Sequence, residues 1–261
     1  ACFPFKIVLG TYVDVLERGA DTLVASGGVG PCRAGLYTLL QEKILKQLGY
    51  EFEMITLEPP GRDFKGLMTN IKRLINAKLS FFEYIRLIRY IWKQLVLLDK
   101  AERLSHKIRP LEINRGDTTK VYKESIKLVD STQNYKGLLE VEREIEKLYD
   151  NIEKKDFDPV KIGIVGEIYV LLEPASNLEI ERSMFLSGYA ISNALMDFFH
   201  MAGERDAKKA ARPYFNEMCG GHGRESVGNT VLFAKRGFDG IIQLSPFTCI
   251  PEIVAKSILP A

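Results

Sequence analysis

Four cysteines are the residues of this 261-residue chain that are best suited to chemistry. Cys2, Cys32 and Cys249 each stand where a strand, or a strand-like segment, gives way to a helix, and Cys219 opens a glycine-rich loop. Open α/β sheets bind ligands at the carboxyl ends of their strands, and helix N-termini there favour anionic groups such as thiolates. The pattern therefore indicates a metal centre, with all four cysteines as candidates.

The spacing of the cysteines bears on the kind of metal. Zinc sites usually contain close pairs such as C-x-x-C, and this chain has none. Iron–sulfur clusters are also held by thiolates, and their ligands can come from separate loops. The spacing therefore favours a cluster over zinc. Disulfides, or cysteines that are simply buried, are the alternatives.

Glycines surround two of the cysteines, in the segments GGVGPCR and CGGHGRESVGN. A glycine spares the Cβ that would clash where the backbone passes close to a bulky ligand. We therefore assign a cofactor-binding role to Gly27, Gly28, Gly30, Gly220 and Gly221. The alternatives are a tight strand-to-helix turn for the first segment and a phosphate cradle for the second, although no G-K-[ST] follows.

His222 and Glu225 lie in the second of these segments and are the candidate catalytic residues. An imidazole and a carboxylate can transfer protons or hydrogen-bond to a cluster. The alternative is a capped helix start at which His222 satisfies backbone groups. His106 and His200 have no cysteine or acidic partner at a useful spacing, so we predict that they serve in packing or lie on the surface.

The composition and charge of the chain limit the classes of function that it can have. A net charge of +2 gives no support for nucleic-acid binding, and 46% apolar residues indicate a folded core. The most apolar stretch, residues 81–98, is interrupted by four charged side chains, which predicts a soluble helix rather than a membrane span. No secretory signal is visible, so we expect a cytoplasmic protein. Both ends of the chain look like cuts through a longer protein.

The elements that must position these residues form two α/β blocks around a helical middle. The first block reads as a strand at 22–26, a glycine loop, a helix at 34–48 and a strand at 52–57, which predicts a parallel βαβ unit. Apolar residues then recur at helical spacing. The second block predicts strands at 161–166 and 240–244, helical structure at 178–217 and a final helix from Pro251.

We therefore predict an α/β protein with two Rossmann-like or flavodoxin-like lobes, each containing a parallel sheet, and a helical middle segment. The predicted domains are a first lobe at 1–62, a helical region at 63–157 and a second lobe at 158–261. The segment GIVGE lacks a full G-x-G-x-x-G, so it is only a weak indication of dinucleotide binding.

Five segments at both ends of the chain carry a resemblance to a known family. In order, they are CFPFKIVLG, ADTLVASGGVGPCRAG, GEIYVLLEPASNLEIER, GGHGRESVGN and DGIIQLSPFTCIPEIVAKSILP. Together they resemble the 2-hydroxyacyl-CoA dehydratase component superfamily. The most similar branch resembles the 2-hydroxyglutaryl-CoA dehydratase D-component and is associated with CoA-enzyme activases.

The resemblance implies an oxygen-sensitive [4Fe–4S] cluster held by three cysteines, or the double-cubane cluster of some relatives. By motif, the ligands would be Cys2, Cys32 and Cys249, whereas Cys219 has no counterpart among them. The implied partner is an ATP-hydrolysing activase that supplies one low-potential electron. The implied reaction is a ketyl-radical dehydration of a CoA-linked substrate, and related components pair into homo- or heterodimers.

The leading interpretation is therefore an iron–sulfur enzyme of the lyase or reductase type, acting on a small or CoA-linked substrate. One alternative is a non-catalytic electron-transfer or scaffold subunit in which Cys219 completes a four-thiolate site. Another is an α/β remnant without a metal. The position of Cys219 relative to the other cysteines distinguishes the first two interpretations.

Overall fold

The computed structural model describes residues 2–28, 32–58, 63–75, 80–186, 190–193, 201–217, 219 and 221–259. Contacts group the chain into two compact units. Unit 1 comprises residues 1–78, 215–224 and 245–261, and unit 2 comprises residues 79–214 and 225–244. The three domains predicted from the sequence stay a prediction.

Unit 1 contains a two-stranded parallel sheet, in which β1 (Thr22–Ser26) pairs with β2 (Glu53–Leu57). A short 3₁₀ helix (Arg33–Leu36) follows β1. The helices of unit 1 are α1 (Phe3–Glu17), α2 (Tyr37–Gln47), α3 (Phe64–Ile75) and α11 (Ile250–Ile258). The predicted strand–loop–helix–strand unit with parallel strands is confirmed.

One part of the apolar core of unit 1 lies around β1. Leu16 of α1, Leu23 of β1 and Leu45 of α2 are buried together. Aromatic and aliphatic side chains such as Tyr50 and Phe52 pack against them. Burying apolar surface is the main stabilising term in folding, so these contacts fix both helices against the sheet.

The first part of unit 2 is a set of three helices: α4 (Phe81–Ile108), α5 (Asp117–Ser131) and α6 (Tyr135–Asp150). Ser80 and Glu83 begin α4 with a capping box, in which each side chain binds the other residue's backbone N–H. The three helices enclose a continuous core: Leu97, Ala101, Ile108, Val129, Leu138, Ile145, Tyr149 and Ile152.

The second part of unit 2 contains a parallel sheet with strand order β4-β3-β5. Its strands are β3 (Lys161–Gly166), β4 (Ala190–Asn193) and β5 (Gly240–Leu244). Its helices are α7 (Ile168–Leu172), α8 (Ile180–Leu186), α9 (Met201–Ala211) and α10 (Gly223–Lys235), of which α10 begins in unit 1. The prediction of helical structure throughout 178–217 is wrong at β4, which pairs with β3.

These elements make the protein a member of the α/β class, as predicted. Parallel strands occur in both units, and helices account for most of the remaining regular structure. Among the described residues, no helix combines the length and the apolar character that crossing a membrane requires.

Candidate metal centre

All four cysteines belong to unit 1, although they come from three separate parts of the chain. Cys2, Cys32 and Cys249 are each the residue before a helix, in extended backbone with ψ between 102° and 142°. The predicted placement at helix starts is therefore confirmed. Prolines explain two of these starts, because Pro4 and Pro251 occupy the first turns of α1 and α11.

The helix starts after Cys2 and Cys32 contact each other. The ring of Phe5, in the first turn of α1, meets the ring of Tyr37 edge to face, with centroids 5.2 Å apart. The buried Gln41 side chain of α2 also donates a hydrogen bond to the carbonyl of Phe5, at 3.4 Å. These contacts hold the first turns of α1 and α2 together, and with them the segments that carry the two cysteines.

The loop that carries Cys32 is closed by two glycines. A Cβ on Gly28 would lie 2.9 Å from the Cα of Gly35, and a Cβ on Gly35 would lie 3.0 Å from the carbonyl oxygen of Gly28. Real Cβ atoms do not approach backbone to 2.9 Å, so position 28 requires glycine, and the 3.0 Å contact leaves almost no room for a side chain at position 35. Gly27 adjoins the flexible carboxylate of Glu58 instead. Gly30 lies outside the described residues.

A second glycine contact joins the segments of Cys32, Cys219 and Cys249. Gly221 has a left-handed backbone (φ +53°), and a Cβ there would lie 2.9 Å from Cγ of Pro251 and 4.0 Å from Sγ of Cys32. A Cβ on Gly223 would lie 3.2 Å from Sγ of Cys219 and would clash with the carbonyl of Pro251. The segment after Cys219 thus packs on the start of α11 beside Cys32. Gly220 lies outside the described residues.

The residue before Cys249 is strained. Thr248 has φ +72°, a left-handed conformation that is a genuine outlier for a β-branched residue and costs about 1–3 kcal/mol. Its Oγ1 is buried and has no hydrogen-bond partner among the described residues. The backbone N–H of Cys249 donates to the carbonyl of Pro246 at 3.1 Å, which fixes the turn. A buried hydroxyl without a partner beside a cysteine fits a site that takes up a further group.

Glu252 is a further candidate residue of the cysteine site, and the sequence analysis did not single it out. It is 1% exposed, although it is a carboxylate in the first turn of α11, three residues after Cys249. An acidic residue three positions after the capping residue is the spacing of a capping box, and this signal was available in the sequence.

His222 and Glu225 lie at the start of α10. His222 is half-buried just before the helix, and Glu225 lies in its first turn. The Glu225 carboxylate forms an ion pair with Lys208 of α9, at 3.3 Å, and its side chain is 12% exposed. This pair gives Glu225 a structural role, and the catalytic role of both residues stays a prediction.

The surroundings of His106 differ from those predicted from the sequence. It is 5% exposed, and its Nε2 lies 3.3 Å from Oε2 of Glu181, with Glu102 one helical turn before it on α4. The prediction that His106 has no acidic partner at a useful spacing is therefore wrong. The i, i+4 relation to Glu102 was visible in the sequence, whereas Glu181 is brought close only by the fold. His200 lies outside the described residues.

The sulfur positions bear on the kind of metal that the cysteines could hold. None of the four cysteines forms a disulfide, so the disulfide alternative does not describe this structure. Among the described residues, the thiols form no group of three or more ligand atoms that all lie within 4.8 Å of one another. Zinc–sulfur bonds of about 2.3 Å would set tetrahedral sulfurs about 3.8 Å apart. The four thiols therefore do not form a close group of sulfurs of the kind that surrounds a single zinc ion.

No protein-family model matches this chain, and neither a curated protein nor a solved structure matches it significantly.

Proposed function

We propose that this chain is an iron–sulfur protein in which Cys2, Cys32 and Cys249 hold a [4Fe–4S]-type cluster. The observation that carries the proposal is the packing of the cysteine segments. Pro251, at the start of α11, contacts Gly221, which in turn lies beside Sγ of Cys32. The Phe5–Tyr37 contact joins the helix start after Cys2 to the helix start after Cys32.

Three further features support a cluster at this place. Thiolates are the usual ligands of iron–sulfur clusters, and this chain has no C-x-x-C pair of the kind that zinc sites usually contain. The starts of α1 and α11 favour negative charge, which a thiolate-bound cluster carries. The buried Thr248 hydroxyl could donate a hydrogen bond to a sulfur atom, a contact that tunes cluster potentials.

In this proposal the chain belongs to a two-lobed, Rossmann-like component of the 2-hydroxyacyl-CoA dehydratase type, working in the cytoplasm. A bound cluster would supply one-electron chemistry at low potential for reducing or dehydrating a small or CoA-linked substrate. The cysteines hold it, and Gly28, Gly35 and Gly221 let the backbone close around it. Proton handling by His222 and Glu225 remains part of the proposal.

Exposed apolar side chains beside the cysteines support a protein partner. Phe3 follows Cys2 and is 40% exposed, while Phe247 and Ile250 flank Cys249 and are 91% and 44% exposed. Exposed apolar side chains next to a functional site are typical of surfaces that a partner covers. We propose that an ATP-dependent activase covers them when it delivers an electron, or that a second component of a homo- or heterodimer does.

A second candidate function follows from the position of Cys219. Its thiol lies beside Gly223, in the segment that packs on Pro251 and Cys32. If Cys219 is the fourth ligand, no iron stays open for substrate, and the protein is an electron-transfer or scaffold subunit. The two candidates differ in the number of thiolates that hold the cluster.

Iron and acid-labile sulfide, measured on protein purified under strict anaerobic conditions, test the proposal. EPR after low-potential reduction should show a cluster signal. Cys32→Ser should lower the iron content because it removes a ligand. Iron-free wild-type protein would reject both candidates, and unchanged iron in Cys32→Ser would remove Cys32 from the ligand set.

Cys219→Ser separates the two candidates, with Cys249→Ser as the matched variant. With three ligands, Cys219→Ser keeps its iron and the EPR signal of the wild type, whereas Cys249→Ser loses iron. With four ligands, both variants lose iron or change the signal. Loss of iron in Cys219→Ser alone would contradict the ligand set proposed here.

A further inference from the structure

A second group of potential metal ligands lies in unit 2, in a different part of the sequence from the cysteines. Glu102 and His106 are one turn apart on α4, and Glu181 lies in the first turn of α8. One ligand atom from each of the three residues lies within 4.8 Å of the other two. The closest measured approach joins Nε2 of His106 and Oε2 of Glu181, at 3.3 Å.

The group is shielded from water. The His106 side chain is 6% exposed and that of Glu181 is 23% exposed. Desolvation raises the pKa of Glu102 above its ordinary value, and the nearby carboxylates of Glu181 and Asp99 raise it further. His106 and Arg109 act in the opposite direction. Two carboxylates held this close in a poorly hydrated site favour a cation between them.

The other charged residues near this group are Asp99, Arg103 and Arg109. Asp99 pairs with Arg103 one turn along α4, at 3.1 Å. Arg109 starts the 3₁₀ helix Arg109–Leu111 and interacts with the charge of Glu112 as well as with that of Glu181. The carboxylates that group with the His106 imidazole within 4.8 Å are those of Glu102 and Glu181.

We propose that Glu102, His106 and Glu181 bind a divalent cation of the Mn²⁺ and Zn²⁺ class. Bonds of about 2.0–2.2 Å place neighbouring ligand atoms about 3 Å apart, which is close to the 3.3 Å between His106 and Glu181. Carboxylates suit Mn²⁺, and the added imidazole suits Zn²⁺. Three protein ligands leave coordination positions for water or for a small ligand.

The competing account is an ion pair without a metal, in which a protonated His106 lies between the carboxylates. Both accounts give the same contacts within the protein, so the decisive measurement is metal binding. The metal ion that serves as the probe must also not bind to the cysteines. Mn²⁺ meets this need, because it prefers oxygen and imidazole nitrogen to thiolate sulfur.

The experiment follows the EPR signal of free Mn²⁺ as it is added to the full chain after chelation and desalting. About one equivalent should bind, because the site has a single histidine and two carboxylates for one ion. Glu181→Gln keeps the size of the side chain but removes its charge, and it should weaken Mn²⁺ binding at least about 10-fold. Mn²⁺ should raise the melting temperature of the wild type more than that of Glu181→Gln.

Glu146→Gln is the matched control, because Glu146 is a half-exposed helical glutamate of the same unit that pairs with Lys100. It should bind Mn²⁺ like the wild type. Glu102→Gln repeats the test from α4, and Glu181→Gln decides the matter if Glu102→Gln does not fold. Absence of Mn²⁺ binding at millimolar concentration, or equal binding by the wild type and Glu181→Gln, would overturn the proposal in favour of the ion pair.

Discussion

Unit 1 is stabilised by a different kind of internal contact from the one that stabilises the three helices α4–α6 of unit 2. The three helices follow one another in the chain and share eight buried core residues. In unit 1, Leu16, Leu23 and Leu45 are buried together around β1. Unit 1 joins its separate segments through close backbone contacts at glycines and through a strained turn at Thr248.

This difference predicts whether a substitution should change the stability of the protein or its proposed metal binding. In α4–α6, stability comes from apolar packing, so a change of volume should cost free energy of unfolding and little else. Around the cysteines, close backbone contacts position the segments that carry the thiols. A substitution that disturbs these contacts should therefore reduce the proposed metal binding. Strain of this kind persists only where the surrounding structure enforces it, and it clusters at functional sites.

The largest expected effect is on the packed helices. Leu138→Ala removes a fully buried side chain from the core of α4–α6 and should lower the free energy of unfolding by about 2–5 kcal/mol. Leu139→Ala is the matched control, since the next residue on the same helix is 39% exposed and should cost less than about 1 kcal/mol. Urea unfolding followed by circular dichroism measures both, and the iron content of the two variants should match that of the wild type. Equal costs at the two positions would contradict the described core.

The next effect is on the cysteine segments. Gly221→Ala forces a Cβ to within 2.9 Å of Pro251 at φ +53°, so it should lower the free energy of unfolding by about 1–3 kcal/mol and also reduce iron binding. Gly19→Ala is the control in the same unit. Gly19 has φ +95° with nothing within 4 Å of an added Cβ, so this variant carries the backbone strain without the clash. Iron assay and urea unfolding report on both. If Gly19→Ala lost as much iron as Gly221→Ala, the contact with Pro251 would not be what positions the site.

Several elements of both units could be predicted from local patterns in the sequence. Strands β1, β3 and β5 lie at their predicted residues because each is a short apolar run bounded by turn residues. Helix starts beside Cys2 and Cys249 were predictable because proline follows each cysteine closely. The local signals therefore defined most elements and the general location of the thiols.

Other features depend on contacts between distant residues, and no local pattern carries them. Strand β4 has four residues, and its conformation is stabilised by pairing with β3, which overrides local propensity. The approach of Gly28 to Gly35 and the left-handed backbone of Thr248 arise only when the loops pack. The same holds for Glu181, which lies 75 positions after His106 in the chain and reaches it through the fold.

A smaller effect is expected from two buried hydroxyls. Oγ1 of Thr248 in unit 1 and Oγ1 of Thr118 in unit 2 are both buried without a hydrogen-bond partner among the described residues. Thr248→Val and Thr118→Val each replace the hydroxyl with a methyl group, and stability should stay nearly unchanged or rise slightly. If the Thr248 hydroxyl donates to the proposed cluster, Thr248→Val should also lower its reduction potential, while Thr118→Val should not. Redox titration followed by EPR compares them, and identical potentials would remove Thr248 from the site.

The smallest effect is a dependence on pH in the proposed cation site of unit 2. The pKa of Glu102 is raised in the folded protein, chiefly by desolvation and then by Glu181 and Asp99, against the lowering effects of His106 and Arg109. The folded state therefore binds this proton more tightly than the unfolded state does. Its stabilising effect is complete below the ordinary glutamate pKa of about 4.3 and is lost as the pH rises through the raised value.

In metal-free protein, this part of the free energy of unfolding should thus fall with rising pH, and Glu102→Gln should remove that fall because its amide does not titrate. Urea unfolding at a series of pH values measures the slope. Mn²⁺ should offset the loss in the wild type, because the cation compensates the carboxylate once it is ionised. A slope that is the same in Glu102→Gln would show that the Glu102 carboxylate is not the source of this pH dependence.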